Sequence, residues 1–394
     1  MTREPLLHIE NVRLVDPGVG IHSGSVLIEG ERIKAVNPDS LPEGTERHDG
    51  GGRLLTPGLM DLHTHGLGLW IFDQPEALLE GARLALRYGV TRLFPTIIPR
   101  ALPRMLSHLE ALAGMLDRAD GARLAGLHLE GPFMALSGAA CPMQAGDLVL
   151  LEEILAASRG RLAIMSLSPE TPQIRPIIER LVARGVVPFI THTQATAAQT
   201  LAAIAAGARH ATHFYDVFYS PPEQDPGVRP VGVLEAWLSD ERTTVDVIAD
   251  GCHVDPIAIR ALSRSLGWPR IVGITDSNIG AGLPPGLYET PWGFPVRVEP
   301  GRGARVASGE KAGALAGSAL TLDEGIENLR RWLPELPPAC VWAMATRNPA
   351  RVMGLANAGR LQTGAEADLV LWDETPLRAR RVWVRGRCLW ERNE

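Results

Sequence analysis

Pro57-Gly58-Leu59-Met60-Asp61-Leu62-His63-Thr64-His65-Gly66 decides how this chain is read, because an apolar strand ends there on two imidazoles spaced two apart. Alternate residues of a strand face one side, so His63 and His65 can converge on one ion. Taken alone, a His-x-His pair is more often two ordinary histidines. A metal reading therefore needs further ligands from other strand ends.

Beyond this stretch the texture repeats as strand followed by helix. The segments 59–63, 91–96, 123–129, 162–167, 187–191, 210–212, 244–249 and 271–275 read as strands. Helical segments separate them, among them 76–88 stopped by Gly89, 174–184 stopped by Gly185 and 197–206 stopped by Gly207. Eight such units in alternation predict a parallel (β/α)8 TIM-like barrel, with its site at the C-terminal ends of the strands. A Pro/Gly-rich segment at 280–303 is too long for a plain connection, so a lid or a hairpin near the site is expected there.

Both termini have a different texture. Residues 6–56 alternate apolar and polar with turn punctuation, and 367–372 and 381–386 repeat the pattern at the far end. Neither end holds enough strands to close a core. The termini are expected to combine into one small β-sandwich of short antiparallel strands, giving two domains: 1–56 plus 357–394, and the barrel at 57–356.

Composition narrows the function. At 394 residues, with 45% hydrophobic and 21% charged residues, the chain can build a large core. A net charge of −6 without a Lys/Arg run argues against nucleic acid or an anionic membrane as partner and favours a small molecule. The first residues carry no basic segment leading into an apolar run, and no later stretch suits a bilayer span, which reads as cytoplasmic. Cys141, Cys252, Cys340 and Cys388 lack Cys-x-x-Cys spacing and are expected to be buried or half-buried thiols.

The ionisable residues then fall where strands finish: His63 and His65 after the first, Glu130 after the third, His192 after the fifth, His213 after the sixth and Asp276 after the eighth. Singly, each has a plain structural role, as a helix or turn cap or a satisfied core histidine. Jointly they suggest a divalent ion. Imidazoles with one carboxylate suit Zn2+ first, then Fe2+, Mn2+, Ni2+ or Co2+, and disfavour Ca2+ and Mg2+. Such an ion favours hydrolysis of an amide, ester or amidine, with Asp276 available to move the proton.

This order of ligands on eight strands, inside a sandwich built from both termini, resembles the amidohydrolase superfamily. Within it, the N-acetylglucosamine-6-phosphate deacetylases are resembled by His128-Leu129-Glu130-Gly131-Pro132-Phe133, Thr212-His213-Phe214, Asp250-Gly251-Cys252-His253-Val254, Thr275-Asp276, the run from Leu315 through Gly317-Ser318 to Thr321, and Asn348-Pro349-Ala350. The resemblance implies that Glu130, His192 and His213 hold the principal metal and that His63 and His65 bind a second ion or flank a single one. It further implies that Asp276 is general base then acid, that His253 faces the substrate, and that the protein is a homodimer. The only lysines are Lys34 and Lys311, neither at a barrel strand end, so any bridging between two metals falls to Glu130.

Two departures bear on the substrate. Where these deacetylases carry a Lys-Gly-Ala-His run whose histidine polarises the acetyl carbonyl, this chain reads Met134-Ala135-Leu136-Ser137-Gly138-Ala139-Ala140-Cys141-Pro142. Where they carry Phe-Asn-Ala-Met and an arginine that helps hold phosphate, this chain has Phe214-Tyr215-Asp216-Val217-Phe218 and Gln224-Asp225-Pro226-Gly227. An acid at 216 disfavours a nearby phosphate. Arg229 is the candidate replacement, although a surface arginine is its plainer reading. Phe214, Tyr215, Asp216, Arg229 and His253 are the candidate substrate contacts. The expected function is metal-dependent C–N hydrolysis, deacetylation of an N-acetyl amino sugar foremost; the alternatives are a deaminase or cyclic amidase, and a catalytically inactive scaffold.

Overall fold

A computed structural model describes residues 5–16, 18–137, 143–290, 293–301 and 303–392. Cys141 and the Gly138 to Pro142 part of the run noted above fall outside the described residues. Eight parallel strands form the centre: β1 (Leu59–Thr64), β2 (Val90–Ile97), β3 (Leu127–Glu130), β4 (Leu162–Leu167), β5 (Val187–Ile190), β6 (His210–Ala211), β7 (Thr244–Ile248) and β8 (Ile271–Ile274), neighbours in sequence order. Every residue of β1 and β2 is buried, as expected for strands covered on both faces.

The ring closes unevenly between β8 and β1. Low on the seam, Gly273 and Met60 donate their N–H groups to the carbonyls of Met344 and Ala345 rather than to each other's strand. Higher up, Asp276 N donates to His63 O at 2.9 Å and Thr64 bridges Ser277 in parallel register. The buried Asp61 side chain stitches the same seam, accepting from Thr275 Oγ1 at 2.6 Å, and burial pushes its carboxyl up to about 7.

Helices cover the strands, some with side-chain caps at their starts and some with the expected glycines at their ends. Thr196 and Gln199 form a reciprocal cap at Ala197–Ala206, Asp255 caps Pro256–Leu266, and Gly89 adopts φ 73° after a 3-10 turn that follows Pro75–Ala85. The third predicted strand is in two pieces. Arg123–Leu124 pairs with β2 and Leu127–Glu130 joins the ring, with Gly126 at φ 157° between them. A side chain there would meet the Ala163 Cβ at 2.5 Å, so only glycine lets the strand step across to β4.

The two termini combine as expected, into one seven-stranded sheet in the order Arg387–Glu391, Leu377–Val384, Leu369–Glu374, Glu46–Pro57, Leu6–Asp16, Gly20–Glu29, Arg32–Val36. The sheet curls back on itself: Ile33 N, on one edge strand, donates to Ala365 O in the segment ahead of Leu369–Glu374, Gly386 N donates to Ala367 O in the same segment, and a Cβ on Gly386 would lie 2.1 Å from Gly30 O. Ile9, Leu14, Val26, Ile28, Leu55, Leu369 and Trp383 fill the space enclosed. One pairing differs from the expected antiparallel pattern. Leu6–Asp16 and Glu46–Pro57 run parallel, because the chain crosses back after the meander of the first three strands.

Segment 280–303 is a hairpin-based structure. Gly286–Tyr288, Val296–Glu299 and Gly303–Val306 form an antiparallel sheet around Val296, Val298, Ala304 and Val306. Of the described thiols, Cys252 is half-buried and Cys340 buried as expected, whereas Cys388 is exposed because it sits on the edge strand Arg387–Glu391. Among the described residues no helix is long and apolar enough to cross a membrane.

Candidate active site

The residues singled out at strand ends meet at one mouth of the barrel. His63, Glu130 and His213 offer ligand atoms within 4.8 Å of one another, and so do His63, His65 and Asp276. Glu130 is central: its Oε1 is 3.3 Å from both His192 Nε2 and His213 Nε2, and its Oε2 is 3.3 Å from His65 Nε2. Asp276 Oδ1 stands 3.4 Å from His63 Nε2 and 3.3 Å from His65 Nε2. All are buried, with relative exposures of 9% or less.

Local backbone aims these side chains. His192, His213 and Asp276 each lie two residues past the end of their strands and take φ of 46°, 37° and 47°, a region that costs an L-residue energy. Gly317 and Ser318 hold the Asp276 turn: Ser318 N donates to Asp276 O at 2.9 Å, and Ser318 Oγ donates to Thr275 O at 2.6 Å. Asn348 Nδ2 donates to Ile271 O at 2.7 Å and Trp268 O at 2.8 Å, fixing the start of β8. Two sequence motifs without obvious chemistry thus position the last strand.

The rings' outer nitrogens decide what their inner ones can do. His65 Nδ1 faces the Thr96 carbonyl at 3.2 Å and His213 Nδ1 faces the Asp216 carbonyl at 3.2 Å. A carbonyl only accepts, so both rings donate there and, when neutral, turn a bare Nε2 toward Glu130 and Asp276. Lone pairs facing carboxylate oxygens repel unless a cation stands among them. Burial alone would lower His65 and His213, yet bonds to Asp276 and Glu130 for the first, and to Glu130 for the second, push each up to about 10. Conversely, burial would raise Glu130 and Asp276, but the surrounding histidines, His63 first, hold both well below the usual carboxylate range. Buried imidazole nitrogens with one or two carboxylates fit a divalent transition metal.

The candidate substrate contacts are placed unequally. His253 is at the mouth, its Nδ1 2.7 Å from Asp250 Oδ2, and Asp250 raises it against the effect of burial. The charge of Asp216 bears on both His253 and His213. Tyr215 is half-buried, and Phe214 is fully buried, with ring centroids 4.9 Å from Tyr215 and 5.1 Å from Phe218, so it packs the wall. Arg229 projects into solvent, its side chain 76% exposed and paired with Glu235. Sequence reasoning missed several supporting groups. Asp250 enters it only as part of a motif, and its signal is an acid followed by Gly251, the start of an Asx-type turn in which Cys252 N donates to Asp250 Oδ1 at 2.8 Å. Asp246 stands as a lone acid inside the apolar strand β7. His128, which the sequence shows only as the first residue of the Glu130 motif, donates from Nδ1 to Leu62 O at 2.9 Å and accepts at Nε2 from Ser166 Oγ at 2.7 Å, and burial holds it far below its ordinary value.

Comparison with known proteins places this geometry in a class. The chain matches the Amidohydrolase family over residues 54–389 and belongs to that family of metal-dependent hydrolases. More particularly, it is 32% identical to an N-acetylglucosamine-6-phosphate deacetylase of Vibrio furnissii, covering 86% of this chain and 83% of that one. It is 33% identical to an N-acetylgalactosamine-6-phosphate deacetylase of Escherichia coli O157:H7, covering 90% and 91%. Among solved structures, a mutant of the Mycobacterium smegmatis N-acetyl-D-glucosamine-6-phosphate deacetylase, in complex with N-acetyl-D-glucosamine-6-phosphate, superposes with a TM-score of 0.83 at 29% identity, covering 98% of this chain and 99% of that one.

Proposed function

We propose that this protein hydrolyses the amide of an N-acetyl amino sugar, releasing acetate, with a divalent ion, Zn2+ foremost, held by Glu130, His192 and His213 and flanked by His63 and His65. The observation that carries this is the convergence of five imidazole and carboxylate ligands with Asp276 at one barrel mouth. A bound ion of this kind brings the pKa of a water toward about 7 and polarises a carbonyl oxygen. The chain's own groups do the rest. Asp276, a carboxylate held ionised beside His63 and His65, accepts the proton of the attacking water and returns it to the departing nitrogen. His253, fixed by Asp250, offers its outer ring nitrogen to a substrate oxygen. Water exclusion follows from burial of the whole ligand set. We further take 1–56 with 357–394 as the terminal domain, 57–356 as the catalytic one, and a homodimer as the assembly, which sedimentation would check.

The experiment is a panel of N-acetylglucosamine and N-acetylgalactosamine, each with and without a 6-phosphate, supplied to zinc-loaded protein. Acetate release without ammonia is expected. Ammonia instead would move the assignment to deamination, and neither product with a fully loaded protein would leave the scaffold reading. The altered run at 134–142 favours keeping a cyclic amide among the alternatives, since it lacks the carbonyl-polarising histidine of the deacetylases it resembles.

A further inference from the structure

We infer that Asp246, acting through Thr212, is the positioning residue that sets which nitrogen of His63 faces the metal site. This rests on the reading of His63 as a metal-facing ligand. His63 differs from its neighbours in one respect. The Nδ1 atoms of His65 and His213 each meet a backbone carbonyl, which dictates the tautomer, whereas His63 Nδ1 meets the Thr212 hydroxyl at 2.8 Å. A hydroxyl donates or accepts, so by itself it dictates nothing.

The decision passes one step outward. Thr212 Oγ1 lies 3.0 Å from Asp246 Oδ1, on the adjoining strand β7, and a carboxylate only accepts. The single hydroxyl proton is therefore spent on Asp246. Thr212 can then only accept from His63, which places a proton on Nδ1 and a bare lone pair on Nε2, the nitrogen 3.4 Å from Asp276 Oδ1 and 3.3 Å from His65 Nε2. Asp246 is itself immobile: it is fully buried, its Oδ2 accepts from His210 Nε2 at 2.9 Å, and its Oδ1 also takes the His213 backbone N–H. One carboxylate thus fixes the ring of His63 and the backbone of His213, two groups that border Glu130 from different strands. Partners of this kind behind a metal-binding histidine commonly change affinity by 10–100-fold when removed.

Thr212→Val and Thr212→Ser separate this role from packing, because valine keeps the shape without the hydroxyl and serine keeps the hydroxyl without the methyl. In chelator competition, Thr212→Val is expected to bind Zn2+ about 10–100-fold more weakly, with Thr212→Ser within about threefold of wild type. In metal-free protein labelled with 15N-histidine, with His63 assigned by its loss in His63→Gln, wild type and Thr212→Ser should show the Nδ1–H tautomer and Thr212→Val a shift away from it. Equal zinc affinity in Thr212→Val, a weaker Thr212→Ser than Thr212→Val, or an Nε2–H tautomer in wild type would each overturn the inference. A protein that shows this pattern but releases no acetate loses the deacetylase reading and keeps this one. Acetate release with an unchanged Thr212→Val does the reverse.

Discussion

His192, His213 and Asp276 are held in a backbone region costing on the order of 1–3 kcal/mol each, and they are three of the site's six ionisable side chains. Such conformations persist when the surroundings enforce them: the strands before His192 and His213 are paired on both sides, and the Asp276 turn is held by its N–H on His63 O and by Ser318 N on its own carbonyl. The chemistry of the side chains can be tested one at a time. Asp276→Asn keeps size and removes the carboxylate proposed as the base, so metal content should stay near that of wild type while kcat falls about 10²–10⁴-fold; an unaltered kcat would take Asp276 out of the proton path. Glu130→Ala removes the group that all four imidazoles approach, and metal analysis should show loss of most of the bound ion. Asp216 makes a substrate prediction: with this carboxylate beside His253 and Arg229 in solvent, a 6-phosphate should raise kcat/KM by less than about tenfold. Asp323 carries a pH dependence unrelated to catalysis. Burial pushes its carboxyl up to about 6 and leaves Oδ1 without a partner. Between about pH 4 and 6 the folded protein keeps a proton that the unfolded chain has released, so stability falls as pH rises through that window and levels off above it. Asp323→Asn should stabilise by up to about 3 kcal/mol at pH 7.5 and far less at pH 4.5 in urea unfolding; equal effects at both would reject this account. At this scale the sequence shows well which side chains gather, because strand alternation and strand ends mark His63, His65, Glu130 and Asp276. It does not show Thr212 or Asp246, whose hydrogen bonds join separate strands.

Elements were legible where one local rule decides them. The helices at Pro75–Ala85, Ile174–Ala183 and Ala197–Ala206 carry their own stop signals, and their spans agree with the periodicity to within about three residues. Two things escaped that reading, both set by neighbours. The third strand breaks at Gly126 because β4 comes within contact distance, and Leu6–Asp16 pairs in parallel with Glu46–Pro57 because the connection between them crosses over. Gly89 ties these levels together. It ends the first helical unit in a left-handed conformation, and a Cβ on it would sit 2.3 Å from the Trp372 ring of the terminal sheet. Gly89→Ala therefore meets backbone strain and a clash at once, for a loss of about 2–4 kcal/mol read by chemical denaturation. Gly185, with a similar φ of 72° and nothing within 4 Å of its Cβ position, should lose only the conformational part, about 1 kcal/mol.

The whole molecule is joined across the barrel floor by charge. Arg92 and Arg123, on the second strand unit and the short strand beside it, meet Glu366 and Asp368 at the start of the returning terminal segment; Arg123 Nη1 is 2.6 Å from Glu366 Oε2 and 3.1 Å from Asp368 Oδ2. Arg92 is 3% exposed. Truncating one member of a buried group of charges strands the others, so Arg92→Ala should cost about 3–5 kcal/mol. The exposed Arg83–Asp120 pair offers a contrast, and Arg83→Ala should leave the midpoint of the same denaturation series nearly unchanged. The curled sheet has a further consequence, in time. Glu46–Pro57 takes one of its two neighbours from Leu369–Glu374, which leaves the ribosome roughly 300 residues later, on the order of 15–60 s at ordinary elongation rates. Until then an apolar edge waits unpaired beside a growing nascent chain, and a transcript cut short before codon 369 would yield a polypeptide with that edge permanently open to chaperones or to other copies of itself.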